Sequence, residues 1–270
     1  MLGRIVLSAV LVLGVVAAGA AGAPRHGFGI GSGASDPIPL ERGVTILWHG
    51  KCRVDGGIKT QTGAPVKAWD FWQEIFQTGA PTWLAAHTHH GAECIMNVQG
   101  VTSWWFAHRT DAPDSPPTIV PVHRGETVYT VQGRVHTAGD VGPEKQAYLG
   151  IHVLEQGSNF NYPVDDPSAP PQSKTEPLSI FKNELQYQVP SKGTFTIYNY
   201  IISMSRNATY HIFRFNQLGY YTVFEGGAML NIPGRRPEPM VKGKMLLVPR
   251  DTAATITTRG DALLAVTQLR

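Results

Sequence analysis

From Gly43 onward the chain consists of short apolar runs separated by Gly, Pro and Asp. Val44–Trp48, Ala92–Val98, Val101–Ala107, Glu126–Val131 and Ala147–Leu154 have strand length and are bounded by turn-forming residues. Pro163, Pro167, Pro170 and Pro171 break the pattern over 162–172. Strand-like runs resume at Gly193–Ser203, Tyr210–Phe215, Tyr220–Phe224, Met245–Val248 and Leu263–Gln268. Only Ala68–Phe76 and Ser179–Leu185 have spacing that predicts short helices. The pattern predicts an all-β protein of two units, 43–157 and 177–270, joined by a linker over 158–176.

Within the first unit, Leu84–His89 reads as a strand, and His87 and His89 stand two apart, so they share a face. The next run, Glu93–Val98, leads through a Gln99-Gly100 turn into Val101–Phe106. This hairpin puts Glu93, Ile95 and Asn97 on one face and Cys94, Met96 and Val98 on the other. His152 alternates with Tyr148 and Gly150 on one strand, which makes it a candidate to line the barrel interior in support of the ligands, as Asn97 is on the face of Glu93. Trp104, Trp105 and Phe106 divide between faces, so they supply either core packing or a pocket wall. His90 points away from His89 and is expected at an exposed turn; His108, His123 and His211 have no spacing partner.

Composition narrows the class. Hydrophobic residues make up 42% and charged residues 16%, which is globular rather than disordered. The net charge of +3 is thinly spread, with no dense basic stripe of the kind that marks a nucleic-acid partner. Residues 1–23 have the form of a signal peptide: Arg4, an apolar run from Ile5 to Ala18, then two small-x-small sites near 20–23. Cleavage after Ala20 is preferred, because cleavage after Ala23 would leave Pro24 first. Residues 24–42 read as a flexible Gly/Ser/Pro-rich arm, and the mature protein is expected outside the cell and off the membrane. Export leaves two readings of Cys52 and Cys94, a disulfide or two buried thiols. Asn207-Ala208-Thr209 is a glycosylation sequon, relevant only in a eukaryotic host.

His87-x-His89-x3-Glu93-x6-Gly100 matches the first motif of the cupin superfamily, and Gly125-x7-Gly133-x2-His136 follows the second. Val131 stands where the second motif has Pro and Asp140 where it has Asn; the glycine six residues before the first His is absent, Gly79 lying eight before. The chain therefore resembles a cupin, and the resemblance implies a jelly-roll barrel in which His87, His89, Glu93 and His136 bind one divalent metal ion. Three neutral imidazoles and a carboxylate suit Cu, Fe, Mn or Ni, with Zn possible. Four donors on an octahedral ion leave two positions for substrate, water or O2.

The motif recurs in a degraded form. His87–Gly100 aligns without gaps on Phe213–Gly226, and Gly125–His136 on Gly243–Ala254. The ligand positions become Phe213, Phe215, Gly219 and Ala254, so a second, ligand-free barrel is expected. The whole resembles a bicupin with one metal site, similar to flavonol (quercetin) 2,4-dioxygenases. That likeness implies a secreted oxygenase acting on a flavonol-like or other enolisable aromatic small molecule, with Glu93 accepting the substrate's proton. Two alternatives follow from the same superfamily: a manganese enzyme of the oxalate oxidase or decarboxylase type, and a non-catalytic binding or storage protein stabilised by metal. The dioxygenase family usually has four residues between the second His and the Glu, where this chain has three.

Overall fold

The computed structural model describes residues 30–31, 38–54, 69–78, 82–108, 114–140, 146–173, 178–187, 195–212 and 218–269. The signal peptide, most of the arm, and Phe213 and Phe215 lie outside these residues. Every regular element described is a β-strand, and all pairings are antiparallel. The described strands form four sheets, which face one another in pairs as two jelly-roll barrels.

Both segments expected to be helical are strands. Trp69–Thr78 pairs along its whole length with Gln146–Glu155, and Leu178–Tyr187 pairs with Trp69–Thr78 on its other side. Alternation decides the first case: Phe71 and Ile75 pack in the core between the barrels, while Glu74 and Phe76 face into the first barrel. A helix would mix these two faces.

The barrels also exchange strands. Val44–Val54, which its sequence position assigns to the first unit, pairs with Phe195–Met204 in the second barrel's sheet. Leu178–Tyr187, from the second unit, completes the first barrel's sheet. The boundaries at 43 and 177 are therefore boundaries in sequence and not in hydrogen bonding. The expected linker is also more than a tether. Tyr162–Pro163 pairs with His87–Thr88, Val164 donates its N–H to Ala86, and Ser173 to Trp83, so the segment straps across one end of the first barrel.

The largest apolar cluster lies between the two barrels. It joins Phe71, Ile75, Cys94, Met96, Leu149 and Ile151 of the first to Cys52, Ile197, Ile201, Tyr220 and Leu269 on the facing sheet. Phe71 stacks on Tyr220 at 4.2 Å. Cys52 and Cys94 form a disulfide across this interface, which resolves their alternatives in favour of pairing. Because Gly91–Gln99 is buried on both faces, Cys94, Met96 and Val98 serve this interface, leaving Glu93, Ile95 and Asn97 to face into the barrel.

The second barrel's interior is filled by apolar residues including Met204, Ile212, Tyr221, Val248, Ala254 and Ile256. Strand register refines the internal repeat. His136 pairs with His87, and Ala254 pairs with Ile212, so Ile212 rather than Phe213 stands at the position of His87. Glu93 lies between Thr130 and His152; Gly219 lies between Val248 and Gln268. A side chain at 219 would begin 2.6 Å from the Tyr221 ring, so Tyr221 occupies the space a ligand there would need.

Candidate metal centre

Two facing sheets supply the site. His87 and His136 are register partners on one sheet, and Glu93 sits on the other between Thr130 and His152. The structure brings all four sequence-selected residues together, and none is more than 5% exposed. The ligand atoms of His87, His89 and His136 lie within 4.8 Å of one another. Glu93 Oε2 is 2.9 Å from His136 Nε2 and 3.6 Å from His89 Nε2, so the carboxylate closes the group.

The imidazoles share one orientation. His87 Nδ1 contacts the Ala85 carbonyl at 2.7 Å, His89 Nδ1 that of Phe160 at 2.6 Å, and His136 Nδ1 that of Arg134 at 2.8 Å. A carbonyl only accepts, so each neutral ring keeps its proton on Nδ1 and turns an Nε2 lone pair inward. His89 Nε2 and His136 Nε2 are buried and make no hydrogen bond. Lone pairs facing a carboxylate at 2.9 Å are stabilised by a cation between them, and a divalent metal suits three nitrogens and one oxygen. The residues therefore fit a metal ion.

Electrostatics distinguish the donors. Burial pulls His87 well below the usual histidine range, and the neighbouring His136 and His89 pull it further, so it stays neutral and ready to ligate. Burial acts the same way on His89, but the Glu93 carboxylate outweighs it and leaves the ring raised. For Glu93, burial opposes ionisation, yet His89, His136 and His152 together hold it well below the usual carboxylate range. Thr130 Oγ1 donates to Glu93 Oε2 at 2.9 Å and fixes the carboxylate plane.

A cavity of about 270 Å³ opens onto His87, His89 and Glu93. Phe76, Leu84, Trp104 and Phe160 form its apolar wall, and Glu74, Tyr148, His152 and Asn161 add polar groups. Of the residues weighed from sequence, His152 and Trp104 thus line the site. Asn97 does not: its amide donates to the Gly100 and Val122 carbonyls and holds the hairpin turn. His90 is half-buried rather than exposed and stacks on Tyr162 at 3.7 Å. His211 contacts Glu41 at the surface of the second barrel.

Glu74 is a site residue that sequence reading missed. Its carboxylate lies 3.0 Å from His152 Nε2, and both side chains are buried. The alternation of Asp70, Trp72, Glu74 and Phe76 was the available signal. Gly150 makes room for the pair, since a Cβ there would lie 3.0 Å from His152 Nε2 and 3.3 Å from Glu74 Cγ.

No protein-family model matches the chain, and no curated protein matches it in sequence. Solved structures do match. One is an oxalate decarboxylase studied for its substrate binding mode and a reaction-specificity switch, with TM-score 0.53, 14% identity, and coverage of 92% of this chain and 77% of that one. Another is the oxalate decarboxylase of Bacillus subtilis studied for its Mn(II) centres, with TM-score 0.52, 13% identity, and coverage of 92% and 78%. At this identity the likeness shows the fold, which is the expected all-β pair of cupin barrels.

Proposed function

We propose that this chain is an exported, metal-dependent oxygenase that binds one divalent ion through His87, His89, Glu93 and His136. The observation that carries the metal reading is the inward convergence of three Nε2 lone pairs and one ionised carboxylate in a buried pocket. A bound ion supplies Lewis acidity toward a substrate oxygen and, if it is Cu or Fe, access to O2 chemistry.

The cavity argues for the kind of substrate. At about 270 Å³ it falls just under the ~300–1,000 Å³ usual for drug-sized ligands, which favours a small enolisable aromatic over a full flavonol. Trp104, Phe76 and Phe160 offer ring faces. Burial, followed by the Glu74 and Glu93 charges, pushes the Tyr148 phenol well up, so it remains a hydrogen-bond donor. The depressed pKa of Glu93 keeps it ionised, and so able to ligate, but makes it a weak proton acceptor at rest. Glu74, the cavity's second carboxylate, is an alternative acceptor.

Manganese-dependent oxalate chemistry is the second reading, favoured by the Mn(II) centres of a structural neighbour. Pocket charge weighs against it. Glu74 and Glu93 line the cavity and, among the described residues, no Lys or Arg does, which is a poor receptor for a dianion. Protein loaded separately with Cu, Fe, Ni and Mn distinguishes the readings. O2 uptake with a catechol or flavonol probe is expected, and it should fall by about 10²-fold or more in Glu93→Gln. Oxalate turnover by the Mn form without such uptake would overturn the oxygenase reading. Silence with every metal and both substrates would favour a non-catalytic protein.

A further inference from the structure

The cupin-like motif ends at four donors, but the cavity holds another imidazole in a ligating position. His152 lies beside Glu93 on the neighbouring strand, with Nδ1 3.6 Å from Glu93 Oε1. The ligand atoms of His89, Glu93 and His152 lie within 4.8 Å of one another, as those of His87, His89 and His136 do. His89 belongs to both groups, and Glu93 directs Oε2 toward one and Oε1 toward the other. The two groups therefore adjoin through His89.

The far side of the ring points the same way. His152 Nε2 is 3.0 Å from Glu74 Oε1, closer than Nδ1 is to Glu93. The shorter contact takes the ring proton, which leaves the lone pair on Nδ1, on the side of Glu93. A carboxylate holding the outer N–H of a histidine is the common support of a metal-ligating imidazole, since it fixes the tautomer and raises basicity. Backbone carbonyls play that part for His87, His89 and His136.

The ligand-free barrel offers a contrast within the same chain. By register, Gln268 stands at the position of His152 and Tyr200 at that of Glu74. The second barrel lacks this pair along with Glu93 and His136, as expected if all of them serve one centre.

We propose that His152 is a fifth protein ligand of the ion, through Nδ1, with Glu74 as the carboxylate that positions it. The inference rests on the metal-binding reading above. It sharpens the substrate class, because five donors on an octahedral ion leave one open position rather than two. The substrate would then engage through a single oxygen, as a phenol or enol does, and not as a chelate.

Pulsed electron paramagnetic resonance of the full chain carrying one equivalent of Cu(II) counts the coordinated imidazoles directly. Four are expected in the wild type and three in His152→Ala. Glu74→Gln should weaken Cu(II) binding by about 10–100-fold in a chelator competition. Three imidazoles in Cu-loaded wild type would overturn the proposal and leave the four-residue site intact. Wild-type protein that takes up no Cu(II) would instead overturn the metal reading itself. The wild-type count does not depend on any variant folding.

Discussion

Breaking the Cys52–Cys94 bond should lower stability substantially while leaving the candidate metal ligands untouched. The two cysteines are 42 residues apart, and the bond ties a strand of the second barrel's sheet to the central strand that carries Glu93. In the chain-entropy treatment, cross-linking removes about 2.1 + 1.5R ln n cal/mol/K from the unfolded chain. For a loop of this length that is about 13 cal/mol/K, or about 4 kcal/mol at 25 °C. One kcal/mol moves the melting temperature of a 150–250-residue protein by about 2–4 °C, so the expected loss is about 8–16 °C. Scanning calorimetry of oxidised and fully reduced wild type isolates the cross-link, because both forms keep every sulfur atom. Cys52→Ala/Cys94→Ala should melt lower still, because both side chains are buried and their packing is lost as well. Oxidised and reduced forms melting within about 2 °C of each other would refute the reasoning, including the placement of the bond across the principal core.

Gly91→Ala should destabilise more than Gly150→Ala in a urea titration. A Cβ at 91 meets the Val153 carbonyl oxygen at 2.0 Å, which is backbone, whereas one at 150 meets side chains at 3.0 Å or more. About 1–3 kcal/mol is expected at Gly150, and equal losses at the two sites would contradict that ranking. Metal affinity should strengthen with pH by about tenfold per unit until a break above 6.5. A ligating imidazole must be neutral, and Glu93 raises the pKa of His89, so each ion bound displaces a proton below that point. An affinity flat between about pH 5 and 6.5 would count against His89 as a ligand. Gly219→Glu combined with Ala254→His should leave metal stoichiometry unchanged, because Tyr221 fills the space beside residue 219; a second bound ion would contradict the account of the emptied barrel.

The cluster of candidate metal ligands was legible because spacing and strand alternation are local. His87 and His89 converge although only His87–Thr88 is a regular strand, and Glu93 lies in Gly91–Gln99, whose two faces divide as the sequence predicts. The all-β class and the emptied second barrel were legible for the same reason. What escaped was non-local. Trp69–Thr78 has apolar spacing compatible with a short helix, and pairing with strands on both sides makes it extended, which hid Glu74. The strand exchange joins Val44–Val54 to a partner about 150 residues away, and no short-range pattern encodes that choice. A one-residue difference in register moved the counterpart of His87 from Phe213 to Ile212, because short strands of similar apolar content align almost equally well in either frame.

Metal content tests the central claim most directly. Wild-type protein and His136→Ala, each dialysed after exposure to equal amounts of Cu, Fe, Mn, Ni and Zn, can be assayed by inductively coupled plasma mass spectrometry. About one divalent ion per wild-type chain is expected, with a large loss in the variant, whose missing Nε2 leaves Glu93 without its nearest imidazole. Equal metal in both proteins, or none in the wild type, would contradict the account.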